Sequence, residues 1–213
     1  MTIRSTLLLV IFFSILSLVV GLAAYPYLPD QVANHWNALG QADGFTTKCF
    51  AITFIPIMIL ATGALMIFLP RLDPLSANLT GFLGIYYRIV VLMAGFLFYL
   101  QGITLVWNLG WQFNLVLALT PAFAVLFYFI GLLVEKARPN WFIGIRTPWT
   151  MSNDIVWGKT HRLGGKLFKL CAAVILMGMF FPDYAIFFTV VPVLWSSLFL
   201  IIYSYVAYRK ETQ

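Results

Sequence analysis

Residues 6–24, TLLLVIFFSILSLVVGLAA, form an unbroken apolar run with no charged side chain. About 20 such residues in a helix cross the hydrocarbon of a bilayer. Working outward, five more windows repeat the pattern at residues 50–69, 85–106, 113–134, 167–181 and 185–208. The fifth is short in purely apolar residues and extends backwards through 163–166, with its lysines reaching to the headgroups. Hydrophobic residues make up 62% of the chain and charged ones 9%, with a mean hydropathy of +0.94. A soluble domain is about a quarter charged, so these charges are too few to coat a globular surface. The expected fold is an all-α polytopic membrane protein with six transmembrane helices, a multi-pass protein of the cell membrane. The first run exceeds a signal-peptide core and lacks a clear small-x-small cleavage site before Pro26, so it reads as a retained span.

Orientation follows from the positions of Lys and Arg, which accumulate on cytoplasmic segments. With both termini cytoplasmic, Lys48 alone of the 13 Lys and Arg residues falls outside, beside Asp30, Asp43 and Asp183. The formal charge of +6 is thereby a topology signal, and no nucleic-acid partner is needed to explain it. The chain divides into 1–82, two spans with an outer amphipathic loop at about 26–48, and 83–213, four spans with an inner loop at about 135–166. The two cysteines, Cys49 and Cys171, fall near opposite membrane faces on this topology, which argues against a disulfide.

Each span that runs inward carries a proline, Pro56, Pro121 or Pro192, about seven to nine residues from its outer end. Three kinks at one depth could open an outward-facing cleft, an alternative to the plainer reading that proline is common in membrane helices and the three coincide by chance.

In the outer loop, Pro29 and Asp30 suit a first helical turn and Gly40 a helix end. Val32, Trp36 and Leu39 recur at helical spacing, which predicts a short amphipathic helix on the membrane surface. His35 falls on another face. With Asp30 and Asp43 it lacks the spacing of a zinc site, so packing within the loop or contact with an external ligand is expected, with no metal and no cofactor.

The inner loop opens with a headgroup-level stop at Glu135-Lys136-Ala137-Arg138-Pro139. From Asn140 to Thr150 bulky and polar residues then mix without period. Gly144 permits a tight backbone, and Pro148 turns the residue before it away from helix. Arg146 amid apolar neighbours requires a carbonyl, a carboxylate or a lipid phosphate. Ser152-Asn153-Asp154 starts a helix that runs into the fifth span. On it Lys159, Arg162, Lys166 and Lys169 make one basic stripe toward headgroups or cytosol. Trp157, His161, Gly164 and Phe168 face the other way, which puts His161 inside near the Arg146 loop. There it either locks the loop by hydrogen bonds or takes part in signalling or proton chemistry.

The chain contains no Gly-rich phosphate loop, no HExxH, no GxSxG and no carboxylate pair inside a span. No enzymatic activity is expected. Arg88 alone approaches an intramembrane charge, at a span end where it can snorkel, which weakens transporter and pump readings.

The stretch LPDQVANHWNALGQADG at 28–44 resembles the outer loop of a bacterial domain of unknown function that accompanies SdpI-type membrane proteins. NWFIGIRTPWTMSNDIVWGKTHRLGG at 140–165 resembles the signature of the SdpI immunity-protein family itself. Taken together, in this order and with apolar spans around them, the motifs are specific. The resemblance implies protection against a secreted, sporulation-delaying peptide toxin. It also implies a receptor role, in which the toxin-engaged protein holds a small cytosolic repressor at the membrane. The residues carried over by motif are Asn140, Gly144, Arg146, Thr147, Pro148, Trp157 and His161 inside, and Pro29, His35, Asn37, Gly40 and Gly44 outside. Expected partners are thus the toxin, the repressor and membrane lipid; the alternative is a small transporter or flippase with an outward-facing cleft.

Overall fold

The computed structural model describes residues 1–213. Its helices are α1 (Ile3–Ala24), α2 (Lys48–Phe68), α3 (Ser76–Leu79), α4 (Leu83–Asn108), α5 (Leu115–Lys136), α6 (Pro148–Ser152), α7 (Asp154–Met177) and α8 (Ala185–Thr212). Two strands, β1 (Gln31–Trp36) and β2 (Ala42–Thr47), pair antiparallel between α1 and α2. Six helical segments are long and apolar enough to cross a membrane, and the protein is an integral, multi-pass membrane protein.

Helix direction alternates, so the molecule has two ends. The hairpin end carries β1 and β2 and the turns joining α4 to α5 and α7 to α8. The opposite, signature-loop end carries both termini, α3, α6 and the segment between α5 and α7. Helices α1, α2 and α4 pack as one group, α5, α7 and α8 as another, and α4 meets α5 between them.

Helix α1 shows why these apolar sequences associate. Its buried residues are Thr6, Val10, Ser14, Ser17, Gly21 and Ala24, spaced three and four apart, whereas Leu8, Phe12, Ile15, Val19 and Leu22 are exposed. Large side chains face lipid, which solvates them well, and small or polar ones face protein, where backbones approach and hydroxyls find partners. Ser14 Oγ donates to Pro56 O at 2.9 Å, and Ser17 Oγ donates to Gln101 Oε1. Between α5 and α7 the approach is closest at Gly131 and Gly165, where a Cβ on either would stand 2.8 Å from the other's carbonyl oxygen.

Four expectations change. The helix expected over Pro29–Gly40 is a β-hairpin. β1 is held by pairing with β2 and by Asn108 of α4, and Val32 and Ala33, which as strand neighbours point to opposite faces, are both fully buried. The three helix prolines do not form one cleft: they lie on α2, α5 and α8, and Pro192 alone lines a principal cavity. The basic stripe is also divided. Lys169 pairs with Glu135 of α5 at 2.7 Å and Lys159 pairs with Glu211 of α8, while Arg162 and Lys166 are exposed. Finally, Cys171 lies toward the Met177 end of α7, inside the span, because α7 begins as far back as Asp154. Both cysteines are free, Cys49 exposed and Cys171 buried against Pro192 and Ser196 of α8.

Candidate functional site

The signature loop is built around one side chain, Asn140, which is completely buried. Its Oδ1 accepts from the backbone of Phe142 (3.0 Å) and Ile143 (2.6 Å), and its Nδ2 donates to the carbonyls of Arg138 and Ile143 at 2.7 Å each. A carboxamide can serve as donor and acceptor at once, so one residue satisfies a turn that no helix or strand could. The α3 connector clamps this turn from outside. Asp73, itself buried, accepts from Trp141 N at 2.9 Å, and Asn78 Nδ2 donates to Pro139 O at 2.8 Å.

Helix α7 supports the loop from below. Asn153 caps it by accepting from Ile155 N and Val156 N. Trp157 Nε1 donates to Ala137 O at 2.8 Å. His161 stacks on Trp157 with ring centroids 3.9 Å apart, and both rings are almost wholly buried. His161 Nε2 accepts from Ile145 N at 2.9 Å, so the ring proton sits on Nδ1, which faces Trp157 O at 2.9 Å. Both ring nitrogens are therefore engaged. Gly144 follows from this arrangement, since its φ is +123° and a Cβ there would lie 2.4 Å from His161 Nε2.

The rest of the loop turns toward α8. Thr147 and Thr150 form a reciprocal cap at the start of α6, with Pro148 in its first turn. Thr147 Oγ1 also hydrogen-bonds Ser204 Oγ of α8 at 3.0 Å, and Trp149 packs on Tyr205. Arg146 is exposed and donates to the carbonyl of Trp141, so of the three partners expected for it a carbonyl is the one present. The structure thus brings Asn140, Gly144, Arg146, Thr147, Pro148, Trp157 and His161 into one cap that touches α3, α7 and α8.

At the hairpin end the motif residues do structural work of another kind. Asn37 Oδ1 accepts from Leu39 N and Gln41 N, closing the turn, and Gly40 takes φ +76° there, against Asn114 at the start of α5. His35 Nδ1 bonds Asp43 Oδ1 across the hairpin, with the His35 side chain 70% exposed. Gly44 sits at the bulge opposite His35, and Pro29 is exposed just before β1. Trp36 packs edge-on against Trp107 of α4 at 5.4 Å. No group of three or more His, Cys, Asp or Glu side chains is arranged to hold a metal ion.

Sequence reasoning missed three residues that organise these ends. Asn108 Oδ1 accepts from Ala33 N at 2.8 Å and its Nδ2 donates to Ala33 O at 3.0 Å, so a side chain at the end of α4 acts as a third strand for β1. Gln101, buried in the middle of α4, exchanges hydrogen bonds with Ser17. Asp73 stands as the sole acid of its connector. Each was visible as a polar residue where lipid alone would have favoured an apolar one.

These two ends correspond to two known sequence families. Residues 136–205 match the SdpI/YfhL protein family, and residues 12–60 match a domain of unknown function (DUF1648). The chain is also similar to "Immunity protein SdpI" of Bacillus subtilis (strain 168), 26% identical over 196 residues that cover 92% of each chain. In both stretches, and along most of its length, the chain is similar to SdpI-type proteins. No solved structure matches it. The family match at 136–205 opens at the last residue of α5, takes in the whole cap and α7, and ends within α8. The Thr147–Ser204 bond joins its two ends.

Proposed function

We propose that this protein is an immunity protein of the membrane that protects its cell from a secreted peptide toxin. The observation that carries the reading is similarity to a protein of that function over nearly the full length of both chains, hairpin and signature loop included. The hairpin end faces outward and meets the toxin. The signature-loop end, which holds all Lys and Arg residues but Lys48, faces the cytosol. There the α3–α6 cap is the surface on which a small repressor would be held.

A signal between the ends has a continuous route along α4. Asn108 at one end grips β1. Near the other, Tyr86 packs in the same core as Ile143 and Trp157, and its hydroxyl donates to Met66 O at 2.7 Å. Toxin binding would then favour one packing of the cap over another through its different affinity for the two.

The protein acts without catalysis. Both nitrogens of His161 are committed to the backbone, which leaves no lone pair for a general base. Expression in a toxin-sensitive strain tests the main reading: survival should rise in the presence of the matching toxin, and no gain removes the immunity function. His161→Ala tests the second. Loss of abundance is expected, whereas an abolished activity in a normally folded, normally abundant protein would indicate catalysis.

A further inference from the structure

Beneath the hairpin lies a cavity of about 330 Å³, within the size range of small-ligand sites. Phe50, Phe54 and Leu105 give it apolar walls, and the rings of Phe50 and Phe54 stack at 4.9 Å. Four polar side chains also line it, Asn34, Thr46, Gln101 and Thr104. Their hydrogen-bonding capacity is largely unused. The side chains of Asn34, Thr46 and Thr104 make no hydrogen bond within the protein, and Gln101 Nε2 spends one N–H on Ser17 O and leaves the second without a partner. Gln101 is 3% exposed and sits inside a membrane-spanning helix, where an idle N–H is costly.

A second cavity of the same volume, between α7 and α8, shows what a mostly apolar site looks like in this protein. Its two small polar side chains, Cys171 and Ser196, bond to each other at 3.2 Å, and the rest of its lining is aliphatic or aromatic. An acyl chain suits that groove. In the hairpin cavity it would leave four polar side chains unsatisfied.

The strand above the cavity adds a second feature. Asn108 occupies the outer edge of β1, but β2 has no neighbour on its far side. Because Ala33 turns its N–H and C=O away from β2, its partner Phe45 turns its own away from β1. Thr46, the next residue, lines the cavity. A chain laid along β2 passes the cavity mouth, and an extended peptide is the ligand that uses both the strand edge and the idle amide and hydroxyl groups.

We infer that an extended segment of the peptide toxin pairs with the free edge of β2 and inserts one polar side chain into this cavity. This rests on the immunity reading and deepens it. Binding of the fluorescently labelled toxin peptide to the full chain in phosphatidylcholine nanodiscs tests it. Ala51→Phe, which fills the cavity, should weaken binding by about tenfold or more, and the isosteric Thr104→Val by about fivefold. Ser196→Phe, in the α7–α8 groove, should leave binding unchanged. In the unaltered protein, the peptide should slow amide exchange at residues 43–47, a readout that does not depend on any variant folding.

Unchanged binding by Thr104→Val and by a folded Ala51→Phe overturns the site while survival in the toxin assay keeps the immunity reading. Protection from exchange at the α7–α8 groove in place of β2 overturns it likewise. Spin-labelled phosphatidylcholine immobilised in the hairpin cavity, and freed by Ala51→Phe with no change in toxin binding, would assign the cavity to lipid. A wild-type protein that does not bind the peptide overturns the inference, and with it direct recognition of the toxin.

Discussion

The two ends of this protein solve opposite problems with the same kind of residue. At the signature-loop end Asn140 is wholly buried and all four of its hydrogen bonds go to neighbouring backbone, so the loop is closed on itself. At the hairpin end Asn108 reaches across from another helix to complete a strand, while the side chains of Asn34, Thr46 and Thr104 bond to nothing within the protein. Asn140 has spent its polar atoms within its own loop, and the three side chains at the hairpin have kept theirs available. The lesson is that within a membrane protein the satisfaction of polar groups, more than their number, separates a structural cap from a binding surface.

The largest expected effect tests the closed end. Asn140→Leu orphans backbone groups at Arg138, Phe142 and Ile143, those of Ile143 buried, and should cost about 3 kcal/mol or more, seen as a large fall in melting temperature in detergent and in membrane abundance. Asn37→Ala at the hairpin turn, which is partly solvated, should cost about 1 kcal/mol. Equal losses from the two would break the comparison.

Gly144→Ala and His161→Ala come next, at about 2 kcal/mol each. The first forces a Cβ onto His161 at a positive φ. The second leaves the Ile145 N–H without an acceptor. Because the two act on one contact, the double variant should cost less than the sum, and full additivity in thermal melts would mean that they do not share it.

Asn108→Ala should cost about 1 kcal/mol and act locally. Amide exchange should accelerate at Ala33 and its neighbours while residues 140–150 keep their protection. Acceleration at both ends would instead reveal tight coupling through α4. The smallest effect belongs to His35→Ala, which removes an exposed pair with Asp43 and should shift stability by less than about 0.5 kcal/mol. A large shift in melting temperature would show that the hairpin's surface charge is part of its fold.

Much of this contrast was readable along the chain. The six spans follow from lengths of apolar sequence, and the interior position of His161 follows from its placement opposite the basic residues of α7. The signature loop announced itself through polarity in a hydrocarbon setting. The hairpin was misread because Val32, Trp36 and Leu39 satisfy a helical period, whereas the decisive partners, Thr46 and Phe45 across the turn and Asn108 in α4, lie far along the chain. The basic stripe was read as free because Glu135 and Glu211, which take up two of its lysines, belong to other helices.

The sequence by itself determined that this is a six-helix membrane protein with two polar segments, because hydrocarbon imposes a local requirement: every residue of a span must suit lipid or find a partner. Tertiary structure alone decided what the partners are. That Asp73 and Asn78 clamp the signature loop, that Asn108 serves as a strand, and that Gln101 lines a cavity and bonds Ser17 all depend on residues brought together from distant parts of the chain. Hydrogen bonds act over about 3 Å, and no period in the sequence records which distant backbone will come within that reach.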